Sequence, residues 1–258
     1  MGVEWDAVTG HVDCPIHFDE RLATRRAQGK MLEVQVRGGW SSLKLLVLPS
    51  LAVSLAMGLA VTLAAKSGGR DQAVAELYSS DARVRRNAVD RLAELGETSD
   101  ADLVIETLHD SDADVRTHAE VAVWTLWMRS GDPEVDSLLK SGIERMQDGE
   151  MNQAVEAFTR ITERKPDFAE GWNKRATVYY LMGRFDQSLQ DCDEVIKRNP
   201  QHFGALSGYG MIYLRLGKLE NALVYFERAL EINPNLKGVE ESIERIRFKL
   251  RQDGKQDI

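Results

Sequence analysis

The sequence predicts an all-α chain, an α-solenoid of helical hairpins, on three observations. Pro166, Pro200 and Pro234 stand 34 residues apart, and Gly149, Gly183 and Gly217 keep the same interval. The sets Gly142/Ala176/Gly210, Ala154/Ser188/Ala222, Phe158/Cys192/Phe226 and Ile161/Val195/Ala229 repeat in the same register. Each block reads as helix, glycine turn, helix and proline stop, which is one supersecondary unit written three times. A stacked array of that kind offers a long surface and no obvious reaction centre, so binding is the expected role.

Taken in order, residues 1–44 show neither repeat nor strong periodicity and are expected to form a disordered arm. Residues 1–30 also read as an extension upstream of a start at Met31. The string HVDCPIH sets His11, Cys14 and His17 at three-residue steps. Pro15 breaks the helix that would align them and no fourth ligand is apparent, so no metal site is expected. Residues 45–65 (LLVLPSLAVSLAMGLAVTLAA) carry no charge. As a helix they would reach about 30 Å, the thickness of a bilayer core. This run is read as a transmembrane or signal segment, with anchor and cleaved leader both open. The chain is accordingly expected to be membrane-anchored by a single span or exported to the periplasm, and the cytoplasm is disfavoured.

Residues 71–130 carry a second repeat. Ala73, Leu77, Asp81, Val84, Arg85 and Ala88 recur 31 positions later as Val104, Leu108, Asp112, Val115, Arg116 and Ala119. Each unit reads as a short helix, an Asp-bearing turn and a longer helix. Asp81 and Asp112 stand where a carboxylate caps the next helix. The pair resembles HEAT-like repeats of the type with D-x-x-V-R between the helices. Trp124 and Trp127 share the second unit's long helix and are expected to close the junction with the following repeats.

Residues 135–252 hold three blocks, 135–168, 169–202 and 203–236, followed by a capping helix. Within the third, Leu206, Tyr209, Gly210 and Tyr213 line one side of the first helix, and Ala222, Phe226 and Ala229 face them from the second. Gly217 supplies a tight turn, and Asn233-Pro234 stops the second helix. Val239, Ile243, Ile246 and Leu250 make the last helix amphipathic, and a terminal array needs such a cap.

These slots resemble the tetratricopeptide repeat. Its Trp, Gly/Ala, Tyr, Ala, Phe, Ala and Pro positions appear as Trp172, Ala176, Tyr179, Ser188, Cys192, Val195 and Pro200, then as Leu206, Gly210, Tyr213, Ala222, Phe226, Ala229 and Pro234. The first block departs at Ser141 and Arg145, which puts its packing or its shielding by the HEAT-like pair in question. The strings AEGWNKRATVYY and HFGALSGYG further resemble a little-characterised group of bacterial and plant repeat proteins.

The resemblance implies a superhelix whose concave wall is built from first helices. Asn173, Thr177, Tyr180, Ser207, Met211 and Arg215 are the candidate partner-binding residues on it. Leu181 and Leu214 share that wall, as do Asp136, Leu139, Ile143 and Gln147 of the first block. Lys174, Arg175 and His202 are expected to gather in a polar spot, either a binding spot or an inter-repeat lock. Repeats of this family that hold acidic chaperone tails use a clamp of cations and Asn; the matching positions here are Leu139, Ile143, Lys174, Gly204 and Gly208. That leaves one cation, so heat-shock chaperone tails are not expected as partners.

The net charge of −8 argues against nucleic acid. Residues 1–65 hold six Lys/Arg and six Asp/Glu, so the excess acid belongs to residues 66–258. No HExxH, P-loop or GxSxG string occurs, and the chain is read as a non-enzyme without cofactor. The expected partner is a protein or peptide. An assembly factor for a membrane complex and a small-ligand or enzymatic module are the alternatives.

Overall fold

A computed structural model describes residues 68–256. The chain divides into Met1–Val61 and Thr62–Ile258, and the described residues belong to the second unit. Residues 68–76 are helical (α1). They are followed by α2 (Ala82–Leu95), α3 (Ala101–Glu106) and α4 (Ala113–Trp127), with single 3-10 turns at Thr98–Asp100 and Thr107–His109. Then come α5 (Pro133–Gln147), α6 (Met151–Arg164), α7 (Ala169–Leu181), α8 (Phe185–Arg198), α9 (Phe203–Arg215), α10 (Leu219–Ile232) and α11 (Lys237–Gln256).

Local chemistry sets the helix starts. Asp81 accepts from the Arg83 N–H, Asp112 from those of Asp114 and Val115, and Asp132 from those of Glu134 and Val135, with Pro133 opening α5. Gly149, Gly183 and Gly217 all take φ between 71° and 78° where first helix turns into second. Their shared left-handed geometry explains the 34-residue glycine register, because a Cβ is strained there.

Each hairpin closes on an aromatic wedge. A Cβ on Gly210 would stand 2.4 Å from Phe226, and one on Gly142 would stand 2.5 Å from Phe158, so the rings seat directly on backbone. Cys192 fills the same slot in the middle block, where burial pushes its thiol up to about 12. The first block keeps this packing despite its departures. Val135, Leu139, Ala154, Phe158 and Ile161 form one core, and Arg145 turns outward to Glu150 and Gln153.

The leading helices fold back on the array. Val115, Ala119, Val123, Leu126 and Trp127 of α4 share a core with Phe203, Leu206, Ala229 and Leu236 of the third block. The two D-x-x-V-R arginines reach successive partners. Arg85 forks Asp110 of the next unit at 2.6 and 2.7 Å, and Arg116 reaches the Asn235 amide oxygen at 2.9 Å. Asn235 in turn donates to the Leu108 carbonyl at 3.0 Å. The leading helices therefore shield the third block and the loop before the last helix.

The expectation of a membrane-anchored or exported chain is corrected. Among the described residues no helix is long and apolar enough to cross a membrane. The longest, α11, is interrupted by charge every few residues. The run 45–65 that suggested a span, and the arm 1–44, lie outside the described residues.

Because Phe226 is 2% exposed and its ring lies against Gly210, Phe226→Ala leaves a hole that cannot collapse. It should lower unfolding free energy by about 3–5 kcal/mol, read from the urea midpoint.

Candidate interaction surface

The first helices α5, α7 and α9 lie side by side, α7 packing against both neighbours, and form one wall. The sequence-predicted binding residues sit on that wall but have different environments along its height. Over the amino-end and middle turns of these helices the polar groups are engaged. The Asn173 amide donates to Glu170 at 3.0 Å. The hydroxyls of Thr177 and Ser207 donate to the Asn173 and Phe203 carbonyls of their own helices. Asp136 takes hydrogen bonds from Ser130, and Leu139 is buried in the first core.

Glu170 is the centre of this region, and sequence reasoning passed over it. Its side chain is 1% exposed, and it meets His202 Nε2 at 3.0 Å and Lys174 Nζ at 3.6 Å. The Ala205 N–H donates to His202 Nδ1 at 3.0 Å. That bond assigns the imidazole tautomer that donates from Nε2 to the carboxylate. Burial pushes the Glu170 carboxyl up, yet the Lys174 charge and the hydrogen bonds from His202 and Asn173 prevail and hold it at about 2. One buried negative charge is thus matched by one buried ammonium.

Helix α4 covers this cluster. The Trp127 indole stacks on His202 with centroids 4.3 Å apart and planes at 15°. Trp124 meets Phe203 edge-on at 5.3 Å, and the Lys174 ammonium lies 5.6 Å from its ring centroid. A Cβ at Gly204 would stand 2.5 Å from Trp124 Cη2, so only glycine permits this seat. Of the polar spot expected as either a binding spot or an inter-repeat lock, Lys174 and His202 form a buried joint between the two repeat zones. Arg175 does not join them. It forks Asp191 at 2.8 Å twice, touches the Thr159 and Thr162 hydroxyls at 3.1 Å, and so ties the first block to the second.

Toward the carboxyl ends of the first helices the wall is open. Tyr180 and Met211 are partly buried, while Leu181, Leu214 and Arg215 are exposed. The Arg215 guanidinium carbon lies 5.9 Å from the ring centroids of both Tyr180 and Phe185. An extended chain crossing here would meet apolar side chains, a phenol ring and a free cation.

The tetratricopeptide repeat family model matches residues 139–196 and 173–236. Residues 139–236 belong to the tetratricopeptide repeat family. A TPR repeat-containing protein of Rhizobium etli is 32% identical over 124 residues, covering 48% of this chain and 61% of that one. Hsp70-Hsp90 organizing protein 2 of Arabidopsis thaliana is 24% identical over 127 residues, 47% of this chain and 22% of that one. Among solved structures, the first TPR of Spaghetti bound to an HSP90 peptide superposes with a TM-score of 0.44 at 24% identity, over 46% of this chain and 94% of that one. The chain thus spans less than two thirds of the length of these curated relatives. Within the tetratricopeptide repeats here, Glu170 and its partners stand at the start of the second, and α4 seats on the second and third together.

The joint is testable through pH. Glu170→Gln leaves Lys174 buried without its counter-charge and should cost about 3–5 kcal/mol at neutral pH. A carboxyl held near 2 against an ordinary 4.5 stabilises the fold fully above pH 4.5 and loses that contribution as pH falls toward 2. The stability gap between wild type and Glu170→Gln, from urea unfolding, should therefore narrow across that interval.

Proposed function

We infer that this chain is a protein-interaction scaffold that holds a peptide or partner protein on the open, carboxyl-end half of its concave wall. The observation that carries the reading is the uneven cover on one wall. The amino ends of α7 and α9 are covered by α4, whereas toward the carboxyl ends Leu181, Leu214 and Arg215 are exposed beside the half-buried Tyr180 and Met211. A surface that mixes apolar side chains with a few directed polar groups suits an extended or helical segment.

Chaperone-tail capture of the clamp type is not supported by this chain's own residues. The corresponding positions hold Leu139, Ile143, Lys174, Gly204 and Gly208. Lys174 is 4% exposed and paired with Glu170, and Gly204 lies beneath Trp124. An incoming carboxylate would have to displace α4 to reach the one cation left there.

A photo-crosslinking residue placed at Leu181 in the full chain should trap a discrete partner in cells. The same residue at Val224, exposed on the outer helix α10, should not. Tyr180→Ala should abolish the Leu181 adduct while lowering the melting temperature less than Phe226→Ala does. Trapping from Val224 alone, or adduct unchanged by Tyr180→Ala, would place the interaction elsewhere.

A further inference from the structure

We propose that the partner segment is acidic and carries apolar or aromatic side chains, and that it lies along α7, α9 and α11. This deepens the open-half reading and depends on it. Helices α7, α9 and α11 start at Ala169, Phe203 and Lys237, so the 34-residue register continues unbroken into the capping helix. Equivalent positions then form rows across the three helices. Tyr180, Leu214 and Phe248 share one row, Leu181, Arg215 and Lys249 the next, and Thr177, Met211 and Arg245 a third.

The first row is apolar and open to solvent, Leu214 at 38% and Phe248 at 58% exposure. Continuity between the helices is visible at both steps. Arg215 of α9 lies over Tyr180 of α7, and Met211 of α9 packs into the core that holds Ile243 and Ile246 of α11. Phe248 on a capping helix has no use in closing the array, since Ile243 and Ile246 already seal it.

Charge names the partner's sign. In a chain of net charge −8, this half carries Arg215, Arg245 and Lys249, and the adjoining turns add Arg184 and Lys218. Among the described residues none of the five forms an ion pair with a carboxylate. The carboxylates nearest in sequence are Glu244, beside Arg245, Glu241, one turn before it, Asp253, four residues after Lys249, and Asp148, just after Gln147. Asp186 and Glu220 follow the turns on the outer helices. Cations left unpaired beside an exposed apolar row attract acidic residues that flank apolar ones, and such a field governs both encounter and choice of partner. A nucleic-acid backbone would meet the same cations but also the acidic remainder of the body.

The test uses the full chain and a fluorescein-labelled peptide of repeating Glu-Glu-Phe, read by anisotropy. It should bind more weakly as salt rises, and at least about tenfold more weakly to the double variant Arg215→Glu with Lys249→Glu. Peptides of repeating Glu-Glu-Ser and Lys-Lys-Phe should also bind at least about tenfold more weakly. Both substituted side chains are exposed, and an unchanged melting curve checks that the variant is folded. Failure of Glu-Glu-Phe to bind, equal binding by Lys-Lys-Phe, indifference to the double variant, or displacement by an oligothymidine would each overturn the acidic-segment assignment. If the Leu181 adduct persists in the charge-reversed variant, the acidic partner is wrong while the open-half reading stands. Absence of that adduct in the wild type removes both.

Discussion

A carboxylate withdrawn from water stays ionised only where fixed charge and hydrogen bonds replace its hydration. Glu170 meets that condition through Lys174, His202 and Asn173, and every one of those side chains is itself buried. The arrangement is costly to break, which gives it directional authority. It fixes the start of α7 against the start of α9 and presents the flat face of His202 to Trp127. The seat of α4 follows, and with it the cover over the amino ends of α7 and α9.

Much of the fold was legible in the sequence because repetition makes each position its own control. The glycine register reported the left-handed turns at Gly149, Gly183 and Gly217, and the Gly210–Phe226 contact followed from small and large residues alternating across a hairpin. Asp81 and Asp112 were readable as caps for the same reason. The location of the leading pair was not readable. Periodicity reports which face of a helix is apolar, and α4 has apolar residues enough for two contacts. Nothing in that pattern says that it turns back to the third repeat.

The candidate surface was legible only by halves. Family register placed Tyr180, Met211 and Arg215 on the wall; Arg215 is exposed, while Tyr180 and Met211 are half-buried. Asn173 was placed on the same wall by the same logic, with Lys174 and His202 in a polar spot beside it, and all three are buried. The signal that could have separated the two sets lies in Glu170 and Gly204. An acid and a glycine replace each other at one position of successive repeats, where Asp136 stands in the first. A buried carboxylate needs a cation one turn onward, which Lys174 supplies, and a glycine without a turn to make needs a bulky visitor, which Trp124 supplies. The visitor comes from a different repeat zone, so no reading confined to one period finds it.

The hydrogen bond from Arg116 to Asn235 joins residues 119 apart in sequence. An array held together only by adjacent neighbours can zip up from any point and fray from either tip. Here the forward part of the chain has to wait for the last loop to be made before its own apolar side is covered. Long-range closure of that kind slows folding relative to a purely local helical array.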